Sequence, residues 1–319
     1  MAARMLWAPL GAFLMLAVSA CGGSSGLAGS TSAGGGSDGS VKGIFSGSAA
    51  PAVLKLPSGS QAFVRTVDQR SVLYVVPDPA PTAPAPLMIV LDYLGGNPTF
   101  MANLIQAGQH ASKGMVLAFP EHQGFSWKNG VPFSGEGDQQ TDIDFLTDVI
   151  NDAVSNMPVD SGRISMTGYS EGGFEADLFA CTKPGMLAGF GMVAAAQLSS
   201  TSCTTGSPQK RLIFAGTNDG EVPYNGLAAL QAAETTLGQW EQAEGCGGTE
   251  SATTLPSLVS DGTSVIQHQM PGCGAILYEI VNGGHTWPGA EVTPTTIVDG
   301  TTSQNIDATQ VQWDYFSAL

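Results

Sequence analysis

Ser170 is the residue around which chemistry can be assembled. It sits in Gly168-Tyr169-Ser170-Glu171-Gly172, after Arg163-Ile164-Ser165-Met166-Thr167 and before Gly173-Phe174. The stretch reads as a short strand, a Gly-x-Ser-x-Gly turn and a helix. A serine on such a turn is held exposed beside a helix N-terminus, which suits a nucleophile. The five-residue pattern alone says little. Gly22-Gly23-Ser24-Ser25-Gly26 and Gly35-Gly36-Ser37-Asp38-Gly39 match it inside low-complexity sequence. Only the Ser170 copy has a β-rich run before it and a helix-compatible run, 174–181, after it.

A serine hydroxyl is a poor nucleophile at neutral pH; it needs a base, and the base needs an orienting carboxylate. Two histidines follow Ser170, His268 and His285. His268 lies in 265–270, where alternation makes it an ordinary strand side chain. His285 lies in Asn282-Gly283-Gly284-His285-Thr286-Trp287-Pro288-Gly289, a Gly-rich loop behind a strand, and strand C-terminal ends are where such sites form. Among the acids, Asp177 falls a turn or two into the helix after Ser170, and Asp261 sits in an Asp261-Gly262 turn. Asp219 follows the strand 211–215 in the loop 216–224, the strand-end position an orienting acid needs. Glu221 is the nearby alternative, and an Asx-turn cap is the non-catalytic reading of Asp219. The order Ser, Asp, His is the one α/β-hydrolases use. Backbone N–H groups must hold the oxyanion. Those of Glu171, and of Tyr93 or Leu94 in the loop Asp92-Tyr93-Leu94-Gly95-Gly96-Asn97, are the candidates. No His-Glu-x-x-His spacing is present, and no metal or cofactor is expected.

The elements that must position these residues alternate. β-rich runs at 62–67 and 71–76 suggest a hairpin. The apolar runs 87–91 and 115–119 fit strands buried on both faces. Helical patterns follow at 99–112 and 141–156. Strands are expected at 163–167, 189–195, 211–215, 265–270 and 275–281, and helices at 225–239 and 306–319. Strands alternating with helices imply an α/β fold, a three-layer sandwich with a mainly parallel central sheet.

The N-terminal residues 1–20 read as a lipoprotein signal peptide. Arg4 gives a positive start, residues 5–18 are mostly apolar, and Val18-Ser19-Ala20-Cys21 looks like a lipobox with Cys21 the lipidated residue. Export to a membrane-tethered position at the cell surface or in the periplasm follows, or secretion if Cys21 is unmodified. Residues 21–48, rich in Gly, Ser and Ala, read as a flexible tether. Residues 49–319 suffice for one large α/β domain. Losing residues 1–20 removes Arg4 and no acid, so the net charge moves from −16 to −17. Such acidity disfavours nucleic-acid partners. Of the five cysteines, four remain beside Cys21: Cys181, Cys203, Cys246 and Cys273. Two disulfides are expected in an oxidising compartment. Three pairings are possible, and local order favours Cys181–Cys203 with Cys246–Cys273.

From about Gln61 onward the chain resembles the extracellular polyhydroxybutyrate depolymerases and the related feruloyl and acetylxylan esterases. The resemblance rests on Pro86-Leu87-Met88-Ile89-Val90-Leu91, Ser126-Trp127 with Asn129-Gly130, and Asp142-Ile143-Asp144-Phe145-Leu146. It continues through Val159-Asp160, the elbow, Asn218-Asp219 with Val222-Pro223-Tyr224, the His285 loop, and Ile306-Asp307-Ala308-Thr309 with Trp313. It implies an α/β-hydrolase fold with Ser170 as nucleophile, Asp219 as acid and His285 as base, and a Cys246–Cys273 bridge. The family usually has His-Gly after the oxyanion strand, where this chain has Asp92-Tyr93. It often has Leu and Ala or Asn at the elbow positions held here by Tyr169 and Glu171. The expected activity is hydrolysis of carboxylic esters through an acyl-enzyme. The substrate is a polyhydroxybutyrate oligomer, or alternatively a feruloyl or acetyl ester on plant polysaccharide. Trp287, Trp127 and Tyr93 are candidate aromatic walls. A catalytically weak binding lipoprotein with an altered oxyanion loop is the reading of another class.

Overall fold

The computed structural model describes residues 47–131, 137–201, 203, 210–291 and 300–318. The expected signal peptide, the expected lipidation site Cys21 and the expected tether up to residue 46 lie outside them. The described residues belong to one unit, Val41–Leu319.

In chain order the elements are β1 (Ser48–Ala49), β2 (Ser60–Val67), β3 (Arg70–Pro77), β4 (Ala85–Leu91), α1 (Pro98–Leu104), α2 (Ala107–Ala111), β5 (Val116–Pro120), α3 (Gln140–Asn156), β6 (Val159–Tyr169), α4 (Glu171–Thr182), β7 (Gly189–Val193), β8 (Lys210–Gly216), α5 (Ala233–Ala243), β9 (Ser251–Thr254), β10 (Ser264–Gln269), β11 (Ala275–Val281) and α6 (Ala308–Ser317). The strands form one sheet in the order β1-β2-β3-β5-β4-β6-β7-β8-β11-β10-β9. The six from β5 to β11 run parallel. The flanking pairs at both ends run antiparallel.

Strand side chains alternate between faces, and this divides the core. Leu87, Ile89 and Leu91 of β4 enter the apolar cluster that holds Phe145 of α3, Phe179 of α4 and Trp240 of α5. Met88 and Val90 enter the opposite cluster with Met101 of α1, Ala111 of α2 and Phe316 of α6. Helices therefore cover both faces of the parallel region, in the three layers expected. Because β4, β6, β8 and β11 are parallel, their C-terminal ends lie along one edge. Asp92-Tyr93, Ser170, Asp219 and His285 all follow those ends.

Several boundaries differ from the sequence expectation for local reasons. The helix expected at 99–112 is two helices, because Gln106 adopts φ 55° and breaks it. Asn97 caps the first by accepting from Phe100 N at 2.8 Å, with Pro98 opening the helix. The helix expected at 225–239 begins only at Ala233. The preceding residues turn back on themselves instead, with positive φ at Gly226 and Ala228 and bridges from Leu230 to Leu227 and Leu198. β9 was not expected, and Ser48, the last residue assigned to the tether, pairs with Val64 in β1. The β2–β3 hairpin closes on Asp68 and Gln69, both at positive φ, as a two-residue turn requires.

Two disulfides join Cys181 to Cys203 and Cys246 to Cys273. The first ties the end of α4 to the loop beyond β7. The second ties the turn beyond α5, three residues past its end, to the β10–β11 connection. Among the described residues, no helix is long and apolar enough to cross a membrane.

Candidate active site

The elbow is built by glycine on both sides of Ser170. Ser170 itself adopts φ 53° and ψ −116°, a strained conformation for a non-glycine residue. Its N–H donates to Val193 O at 2.8 Å, and its carbonyl accepts from Gly173 N at 2.8 Å. A Cβ at Gly168 would lie on the Gly172 carbonyl. A Cβ at Gly172 would stand 2.5 Å from Asp92 O and 2.6 Å from Leu91 O. Glycine at 172 thus lets the start of α4 touch the end of β4, and Ser170 stands beside the Asp92-Tyr93 turn.

His285 Nε2 lies 2.9 Å from Ser170 Oγ. His285 Nδ1 lies 3.0 and 2.9 Å from Asp219 Oδ1 and Oδ2. An ionised carboxylate only accepts, so Nδ1 carries the hydrogen and Nε2 is left to accept from the serine hydroxyl. All three side chains are buried, His285 at 2 % and Asp219 at 6 % exposure, with Ser170 the most open at 9 %. Asp219 Oδ1 also accepts from Glu221 N at 2.9 Å and Val222 N at 2.7 Å. One carboxylate therefore both caps its turn and meets the imidazole, so the turn-cap reading does not exclude the orienting-acid one. Tyr169 Oη donates to His285 O at 2.7 Å and ties down the backbone of that residue.

The competing residues lie elsewhere. Glu221 is exposed and gives only its N–H to Asp219. His268 is held between Glu279 at 2.8 Å and Glu250 at 3.0 Å. Burial works against its charge, but those hydrogen bonds outweigh it and lift its pKa above the usual histidine value. Asp261 caps Thr263 N at 2.8 Å and Gln304 N at 2.7 Å. Asp177 is buried against Gln197 at 3.0 Å. Cys181 and Cys203, which approach Asp177 in a metal-like grouping, are joined in the disulfide.

Around the oxyanion turn, Gly96 N donates to Tyr93 O at 2.7 Å and Gly95 N to Phe125 O at 2.9 Å. The N–H groups of Glu171, Tyr93 and Leu94 belong to the two turns that Gly172 brings together. The Asp92 side chain points into the protein and is 1 % exposed. Its Oδ1 accepts from Trp127 Nε1 at 3.1 Å, and its carbonyl accepts from the same N–H at 3.0 Å.

The aromatic walls need correction. Trp127 and Trp287 are 0 % and 1 % exposed, so neither presents a face to a substrate. Trp287 Nε1 donates to Thr309 Oγ1 at 3.1 Å, which makes it a brace for the His285 loop against α6. Tyr93 packs edge-on against Tyr169 and Phe100, with ring centroids 5.5 and 5.9 Å away. Among the described residues, the exposed aromatic at this turn is Phe125, 70 % accessible, whose ring covers Gly95. Sequence reasoning missed it, since nothing distinguishes an exposed phenylalanine from a buried one in a loop.

It also missed a set of buried acids. Burial lifts the carboxyls of Asp92 and Glu171 to about 8 each, with the charge of Glu121 adding to the rise of Asp92 and that of Asp92 adding to the rise of Glu171. The hydrogen bond from Trp127 to Asp92 only partly opposes this. Glu175, wholly buried, is raised well above the usual range.

The solved acetyl xylan esterase from Aspergillus awamori superposes with a TM-score of 0.56 at 15 % identity, over 81 % of this chain and 98 % of that one. With the parallel sheet, the elbow and the strand-end loops, this defines an α/β-hydrolase fold. An S-formylglutathione hydrolase from Agrobacterium tumefaciens superposes at a TM-score of 0.47 and 14 % identity, over 73 % of this chain and 91 % of its own. By sequence, the chain is 26 % identical to NocK of Nocardia uniformis subsp. tsuyamanensis, a protein named as a candidate esterase, over 74 % of this chain and 76 % of that one. No described protein family matches the chain.

Proposed function

We propose that this protein is a serine hydrolase of carboxylic esters. The observation that carries the proposal is the continuous hydrogen-bonded line from Ser170 Oγ through His285 to Asp219. Ser170 attacks the ester carbonyl as His285 Nε2 takes its proton. Asp219 holds the imidazole tautomer and stabilises the imidazolium that forms. The N–H groups of Glu171 and of Tyr93 or Leu94 face the developing oxyanion, and removing one such donor typically costs about a hundredfold or more in rate. His285 returns the proton to the leaving alcohol, and water then releases the acyl group from Ser170. The names of NocK and of the Aspergillus enzyme are in keeping with this chemistry.

Within that class, polyhydroxybutyrate oligomers are the first substrate proposed, with acetyl or feruloyl esters of plant polysaccharide the alternative. Phe125 beside the oxyanion turn offers an exposed apolar face for either an acyl chain or a ring. A binding-only lipoprotein is disfavoured, because Asp92 is turned away from the site and engaged by Trp127. Turnover of p-nitrophenyl acetate, hydroxybutyrate oligomers, methyl ferulate and acetylated xylan by wild type and Ser170→Ala tests both levels. The class stands if wild type releases alcohol from at least one ester and Ser170→Ala does not. Equal rates in the two proteins would falsify it.

A further inference from the structure

Behind the oxyanion turn lies a cluster of acids that the mechanism above does not use. Asp92, Asp142, Glu171 and Glu175 are each 1 % exposed or less. One guanidinium reaches them. Arg70 Nη1 donates to Asp142 Oδ1 at 2.6 Å, and its plane lies 3.6 Å above the Phe145 ring. Asp142 Oδ2 also accepts from Lys128 N at 2.7 Å, so Asp142 is the carboxylate this cation pairs with. Asp92 Oδ2 and both carboxyl oxygens of Glu175 are buried without a hydrogen-bond partner, while the Trp127 backbone N–H and the Ser126 hydroxyl approach the Glu171 carboxyl and only partly oppose its rise. One cation does not neutralise four anions in a dry interior. Unpaired buried carboxyls keep their protons instead.

The groups facing Asp92 come from several elements. The loop after β5 supplies Glu121, His122 and Trp127, with His122 Nε2 at 3.8 Å from Asp92 Oδ2. β3 supplies Arg70, and α4 supplies Glu171, behind which stand Glu175 and Asp142 of α3. His122 is itself pushed toward its neutral form by burial. Among the described residues, Arg70 is the cation that bears on Asp92; it donates to Asp142, and burial of Asp92 outweighs its pull.

We propose that Asp92 is a positioning residue for the oxyanion turn that works only as a neutral carboxylic acid, so that losing its proton switches ester turnover off. This rests on the esterase reading above. Trp127 Nε1 clamps both the carbonyl and the carboxyl of Asp92, and the next N–H along the chain, that of Tyr93, is an oxyanion donor. Neutral Asp92 leaves that donor's field intact. Ionised Asp92 places a negative charge one residue from a forming oxyanion and beside Glu171, and the transition state rises in energy. The step is a simple ionisation: the carboxyl O–H proton passes to solvent hydroxide. The burial that lifts Asp92 and Glu171 to about 8 puts the change on the alkaline side of neutrality.

The test is the pH profile of kcat and KM for wild type and Asp92→Asn, which keeps the shape and cannot ionise. Wild-type kcat should fall by about tenfold or more between about pH 7 and 9.5 with KM little changed, and Asp92→Asn should lose that fall. An unchanged alkaline limb in Asp92→Asn overturns the proposal. If Asp92→Asn does not fold, isotope-edited infrared spectra of Asp-labelled wild type decide instead. A protonated-carboxyl band near neutral pH, shifted by Trp127→Phe and lost at high pH, is expected; its absence overturns the proposal. Wild type inert to every ester sinks the esterase reading alone, and the infrared band still decides whether Asp92 holds its proton.

Discussion

At the residue scale, the assignment of base and acid is the sharpest claim. Asp219 accepts from two backbone N–H groups and from His285, so Asp219→Asn keeps the turn but inverts the tautomer preference of the imidazole. We expect kcat to fall by about 10⁴ in Asp219→Asn, while His268→Gln stays within about twofold of wild type. Steady-state kinetics on one soluble ester read both. A large loss in His268→Gln contradicts the assignment. That Ser170, Asp219 and His285 come together was legible in the sequence because each follows a strand, in an order that the proposed chemistry constrains. The roles of Trp127 and Trp287 were not legible, because an aromatic residue is written the same way whether it lines a cleft or braces a loop. Asp92 was visible as an anomaly, but only the fold shows that its side chain turns inward to Trp127.

At the element scale, the site depends on how closely α4 can approach β4. Gly172 is the contact point, and a methyl group there would meet two backbone carbonyls that cannot rotate away. Gly172→Ala should push the oxyanion turn from the elbow and lower kcat by about a hundredfold, as displacements near 1 Å do, with a smaller change in KM. Kinetics near wild type in a folded Gly172→Ala protein would show that the two turns need not touch. The parallel strands were readable as apolar runs because both of their faces are covered. The break at Gln106 and the late start of α5 were not. Both hang on single residues in left-handed conformations, Gln106 and Ala228, that helix-forming composition does not report. β9 was missed because its Ser-Ala-Thr-Thr run is exposed and carries no apolar alternation.

At the scale of the whole molecule, the buried acids set how stability responds to pH. Asp92, Glu171 and Glu175 all have folded-state pKa values raised above their unfolded ones. The folded protein thus binds more protons than the unfolded chain above the ordinary carboxylate range, and stability falls as pH rises through about 8. His268, also raised, acts in the same direction. The Tm should therefore decline between about pH 6 and 9, and Glu175→Gln should flatten part of that decline. A Tm that rises over this range, measured calorimetrically, contradicts the protonated cluster. The central claim, that Ser170 carries the acyl group, is tested most directly by intact-protein mass spectrometry. Wild type and Ser170→Ala are mixed with a p-nitrophenyl ester and quenched in acid within the first turnovers. The account predicts a mass gain of one acyl group in wild type, localised to the peptide holding Ser170 and absent in Ser170→Ala. Ester turnover by wild type with no acyl adduct on Ser170, or an equal adduct in Ser170→Ala, contradicts it.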